Sequence, residues 1–129
     1  MQNERNTVSI RQRLTGRTDE LRQDILRELR KCEDETYAQL VDRVADTGEQ
    51  SLSDLLADVD LAEITRDVVE LRDIELALQR LAQGSYGICL DCEEPIAAGR
   101  LESNPAAVRC LKCQQAFEAS DRTHHYRSL

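Results

Sequence analysis

The chain has 129 residues, 33% of them charged and 3% aromatic with no Trp, and its 25 acidic against 17 basic side chains give a net charge of -8. At this length one compact domain or two small pieces is the ceiling, and Tyr37, Tyr86, Phe117 and Tyr126 are too few aromatics for a base-stacking RNA-reading sheet. Affinity for a phosphate backbone comes from Lys and Arg displacing counterions, so an acidic chain of this kind is not expected to bind DNA directly.

No window approaches the ~18 apolar residues of a membrane span. The first eight residues lack the apolar core of about 7 to 15 residues of a secretory signal. The expected location is therefore the reducing cytoplasm, where five cysteines point to metal or redox chemistry rather than a disulfide framework.

Charge divides the chain into segments of +3 (residues 1–17), -5 (18–50), -5 (51–83) and -1 (84–129). In the basic segment 1–17, Thr15-Gly16 reads as a break, and Val8, Ile10 and Leu14 form a short helix packing near the base of a helical hairpin over 18–83. From Thr18 to Asp46 the apolar residues Leu21, Ile25, Leu29, Cys32, Tyr37, Leu40 and Val44 recur at helical spacing, which predicts one long amphipathic helix. From Ser51 to about Gln83 a second series runs through Leu52, Leu55, Val59 and then Leu61, Ile64, Val68, Leu71, Ile74, Leu78 and Leu81, closer to a coiled-coil seam. At ~1.5 Å per residue these helices are roughly 43 and 50 Å long, and an antiparallel hairpin lets them bury each other.

The turn at 46–51 carries fitting local chemistry. Gly48 suits a left-handed helix end, and Ser51 followed by Asp54 is an S-x-x-D helix start. A hairpin centred there brings Leu40 near Ala57 and Leu21 near Leu76, both apolar pairs.

From Gly84 the composition changes to glycines, both prolines and four cysteines, ending in a polar tail over 120–129. Cys89-Leu-Asp-Cys92 and Cys110-Leu-Lys-Cys113 are two C-x2-C knuckles separated by 17 residues. Together they offer the four thiolates of a closed structural Zn²⁺ site, with Zn–S near 2.3 Å and no open position for hydrolytic water. A thioredoxin-like redox pair would need a βαβ pattern, which is absent. So few apolar residues cannot fold alone, and the metal supplies the deficit. The predicted fold class is mainly α: a long antiparallel coiled-coil hairpin over 18–83, then a four-cysteine zinc finger over 84–119.

The stretch Tyr86-Gly87-Ile88-Cys89-Leu90-Asp91-Cys92, with Ile96, Arg100-Leu101, Pro105 and Cys110-Leu111-Lys112-Cys113-Gln114, resembles the signature of the DksA/TraR family of four-cysteine zinc-finger proteins. The resemblance covers roughly residues 18–118. It implies a bacterial transcription factor, not an enzyme, that binds RNA polymerase rather than DNA. Its hairpin would enter the secondary channel, as in the Gre transcript-cleavage factors, with acidic residues at the tip. An acidic probe entering a basic, magnesium-containing channel is electrostatically favoured.

Counting back from the first zinc cysteine places the family's tip motif, D-x-x-D-x-A, over Asp46, Glu49 and Ser51. The first acid matches, Glu49 keeps the charge with an added methylene, and Ser51 replaces a small apolar residue. Glu49 and Ser51 also serve the start of a helix, whereas Asp46 in a last helical turn opposes the dipole by about 0.3–1 kcal/mol and has no such structural reason. Members that respond to the alarmone ppGpp use basic residues near the knuckle, and the same count puts Asp73, Asn104 and Gln114 there. Without those cations ppGpp binding is expected to be weak or absent. Arg100, Arg109 and Lys112 remain as candidate contacts with the channel rim. The alternative is an interaction protein of the same fold that docks on another protein partner.

Overall fold

The computed structural model describes residues 4–46 and 51–128, with side chains for 6–46 and 51–120. The described residues form six helices in order: α1 (Glu4–Lys31), α2 (Glu35–Asp46), α3 (Leu52–Leu55), α4 (Ala62–Gln83), α5 (Ala98–Ser103) and α6 (Leu111–Ser128). Among the described residues the β structure is an isolated antiparallel bridge between Ile88 and Pro95.

α1 and α4 are the two long helices. On α1, Leu14, Leu21, Ile25 and Leu29 step by sevens and fours along one face and are fully buried. On α4, Ile64, Val68, Leu71, Ile74 and Leu81 do the same at threes, fours and a seven. The two stripes bury each other in one apolar cluster. α4 stops at Gly84, whose φ of 80° is left-handed and whose N–H turns back to the carbonyls of Arg80 and Leu81.

The sequence-based break at Thr15-Gly16 is not found, since α1 runs through it without interruption. A glycine inside a helix costs about 1 kcal/mol relative to Ala. Burying Leu14 and Leu21 on either side contributes more, at about 2 kcal/mol each.

The hairpin departs from the expected register. Arg17 faces Glu70, and Leu14 shares a cleft with Ile74, so the helices run antiparallel. A hairpin centred on 46–51 would instead set Arg17 against Arg80, ten residues or about 15 Å away. The two long predicted helices are each divided, the first at Cys32–Asp34 and the second over 56–61. Asp34 supplies the cap of α2: its Oδ1 accepts from the Thr36 N–H at 2.8 Å.

Between the breaks the chain folds back on itself. α2 packs on α1, and α3 packs on both α2 and α4. Ser51 and Ser53 both hydrogen-bond Glu75, more than halfway along α4. The physical reason is burial: Val44, Leu52 and Leu56 join the α1–α4 core at 3% exposure or less. Each contributes about 1.5–3 kcal/mol, enough to offset two interrupted helices. Within this inner pair Tyr37, Leu40 and Arg43 line one cleft with Leu55, Asp58 and Val59.

At the other end, α1 meets the C-terminal unit. Arg13 donates from Nη2 to the Glu102 carbonyl at 3.0 Å, and Ile10 and Arg13 line a cleft with Tyr86 and Leu101. The polar tail is helical, as α6 continues to Ser128.

Candidate metal centre

Two tight loops present the cysteines. Gly87 has a φ of 87°, which lets the chain turn between α4 and the first knuckle. The Ile96 N–H then donates to the Gly87 carbonyl and the Cys89 N–H to the Glu94 carbonyl, each at 2.8 Å. Glu93 also takes a left-handed φ of 64°. The Leu90 N–H donates to the Val108 carbonyl at 2.8 Å, laying the second loop against the first. Cys110 and Cys113 flank the first turn of α6, where the Gln114 N–H donates to the Cys110 carbonyl.

The result is one cluster of four sulfurs, all within 4.8 Å of one another, with Cys92 Sγ and Cys110 Sγ 3.9 Å apart. Thiolates around tetrahedral zinc at ~2.3 Å stand roughly 3.8 Å apart, so the cage fits the ion. All four sequence-predicted ligands are brought together. Burial raises the pKa of Cys89, but backbone N–H groups of Cys92, Cys110 and Asp91 bring it down to about 6. Hydrogen bonding with Cys110 and then burial push Cys113 up to about 12. Four thiolates this close need a divalent ion between them, and a closed sulfur shell makes that ion structural.

One side chain of α4 holds the knuckle to the hairpin, and others brace it from within. Arg80 of α4 donates from Nη2 to the carbonyls of Ile88 at 2.7 Å and Ser85 at 3.2 Å. The Tyr86 hydroxyl donates to the Pro105 carbonyl at 2.7 Å. Arg109 donates from Nε to Asp91 Oδ2 at 2.8 Å, and its guanidinium lies 3.9 Å from the Phe117 ring centroid. Arg100 donates from Nε to the Arg109 carbonyl at 3.0 Å. Arg100 and Arg109 are thus engaged within the knuckle, while Lys112 is exposed. Of the positions compared for the alarmone, Asp73 is half-buried with its pKa raised by burial. Asn104 accepts from the Ala106 N–H, and Gln114 donates to Glu118.

Asp46 is exposed at the end of α2. Ser51 caps α3, its Oγ accepting from the Asp54 N–H. Glu49 lies outside the described residues. Sequence reasoning missed Glu75, which accepts from Ser51 Oγ at 2.6 Å, Ser53 Oγ at 2.5 Å and the Ser53 N–H at 3.1 Å. A lone acid on a helical face carried no signal for this. Ser53, 4% exposed, signals it only once its burial is known.

Comparison with known proteins agrees with this architecture. The family model "Prokaryotic dksA/traR C4-type zinc finger" matches residues 84–119. The RNA polymerase-binding transcription factor DksA of Caulobacter vibrioides is 32% identical over 109 residues, covering 80% of this chain and 72% of that protein. The solution structure of the DnaK suppressor protein from Agrobacterium tumefaciens is similar with a TM-score of 0.57 and 28% identity, over 90% of this chain and 97% of that one. Transcription factor DksA2 from Pseudomonas aeruginosa gives a TM-score of 0.52 and 26% identity, over 93% and 88% of the two chains. With two long helices leading into a caged four-sulfur knuckle and a relative matched along most of its length, the chain belongs to the DksA/TraR family of C4-type zinc-finger proteins.

Proposed function

We propose that this protein is a cytoplasmic transcription regulator that binds RNA polymerase through its secondary channel and carries Asp46 and Glu49, with Ser51 beside them, toward the active centre. It acts by binding, not as an enzyme. The observation that carries the reading is the match over 109 residues to a relative named an RNA polymerase-binding transcription factor. Charge supports the route of approach: residues 18–83 hold a net -10 and residues 84–129 only -1. A negative probe is drawn into a basic channel. No helix among the described residues is long and apolar enough to cross a membrane.

In this reading zinc has no part in chemistry. It fixes the two knuckles so that Arg80 and Arg13 hold the C-terminal unit at one end of the α1–α4 pair, where exposed Lys112 is free to meet the channel rim. Asp73, Asn104 and Gln114 place no cation at the alarmone positions, so ppGpp adds little to binding. The test is in vitro transcription together with competition against a Gre-type factor for polymerase. Promoter-dependent changes and mutual displacement are expected. No effect and no competition would overturn the proposal.

A further inference from the structure

We propose that α2, α3 and the 56–61 link form a hinged arm with two states: the folded-back state of this structure, latched by Glu75, and an extended state in which the arm prolongs the α1–α4 hairpin and presents Asp46 at its far end. The conformational part stands on the geometry. Its regulatory meaning rests on the proposed binding to polymerase.

Three observations carry it. First, both breaks lack the usual helix breakers, for neither 18–46 nor 51–83 contains a glycine or proline. The linking residues are ordinary ones whose helix propensities differ from alanine's only modestly, and the apolar series Leu21, Ile25, Leu29, Cys32 runs on through the first break toward Leu40 and Val44. Second, the breaks are neighbours. α1 ends at Lys31 and α4 begins at Ala62, and the two helices are antiparallel, so both hinges sit at one end of the long pair. The arm between them has its own cohesion, because Tyr37 and Leu40 share a cleft with Leu55 and Val59. It can therefore swing as a unit.

Third, the arm is fastened at a defined point. Ser51 and Ser53 place two hydroxyls and one backbone N–H on the Glu75 carboxylate. Ser53 is the buried polar residue of the described core, and Glu75 satisfies it. Folded back, the arm holds Ser51 and Ser53 against α4. Extended, with α2 continuing α1, Asp46 stands about 22 Å beyond Lys31. A partner that accepts only the extended arm draws the population toward it.

The experiment uses the full zinc-loaded chain with Cys32→Ser and spin labels at Asp54→Cys and Gln79→Cys, both exposed positions. Folded back, the labels lie under about 20 Å apart; in an extended helix they are ~38 Å apart. The free protein is expected to show mainly the short distance. Glu75→Ala is expected to raise the long-distance population on the order of tenfold, as loss of a charge-assisted latch implies. The double variant Ser51→Ala with Ser53→Ala removes the same bonds from the arm side and guards against misfolding of the first. Protein bound to polymerase should show the long distance. A distance that stays short in both variants and on polymerase overturns the hinge, as does a free protein that is already long. Failure to bind polymerase would instead overturn the functional reading, leaving the variants to decide the hinge.

Discussion

Replacing Arg109 by alanine tests whether the knuckle is held from within. The side chain touches both halves of the zinc site: Nε lies 2.8 Å from Asp91, between the first two cysteines, and the guanidinium stacks on Phe117 of α6. Arg109 is 14% exposed but Asp91 is 47% exposed, so solvent screening limits the ion pair to about 0.5–1 kcal/mol. The stack on a partly exposed ring adds about 0.5–1 kcal/mol. The loss is therefore ~1–2 kcal/mol. Because metal binding and knuckle folding are one equilibrium, this lowers apparent zinc affinity about tenfold. Competition with a chromophoric chelator measures it. Arg109→Lys keeps the charge but not the planar stack, and should fall between. At saturating zinc the alanine variant should bind polymerase as the parent does. Unchanged zinc affinity combined with lost polymerase binding would refute this reasoning and make Arg109 an outward rim contact.

Chelation of zinc should abolish hydrogen-exchange protection at Cys89, Leu90 and Ile96, whose amides are tied by the knuckle, while Leu21 and Leu71 in the α1–α4 core stay protected. Asp73→Asn should stabilise the protein at neutral pH. Burial raises the Asp73 pKa, with Glu70 adding and Arg109 opposing, so its ionised form works against folding, and the gain should shrink as pH falls through the carboxylate range. Gly84→Ala should cost about 1–2 kcal/mol in a denaturant melt. Its φ is +80° with no atom within 4 Å of the added Cβ, so the cost is backbone conformation alone.

The zinc ligands were legible in the sequence because metal geometry dictates spacing, and two C-x2-C pairs admit few other uses. The helical character of 18–83 was legible for a similar reason, since a stripe at threes and fours needs a partner face. Where that partner lies was not. Val44 and Leu52 have the same periodicity whether the arm extends or folds back, because both arrangements bury one face. Only long-range contacts such as Ser53 with Glu75 decide between them. The continuation of α1 through Gly16 was hidden by a local preference that the burial of Leu14 and Leu21 outweighs. The inward direction of Arg109 could not be read either, for an arginine beside a zinc cysteine serves the knuckle or its partner equally well by composition. Asp34 was the one local sign of the first break, as a helix cap in the middle of a helical pattern.

Crosslinking from position 46 tests partner, orientation and the role of the turn together. A photoreactive amino acid in place of Asp46, in the full zinc-loaded chain mixed with RNA polymerase holoenzyme, should form crosslinks to the large catalytic subunits along the secondary channel near the active centre. A Gre-type factor in excess should suppress them. Crosslinks confined to the outer surface of the enzyme, or none at concentrations where the two proteins co-sediment, would contradict entry of the arm into the channel.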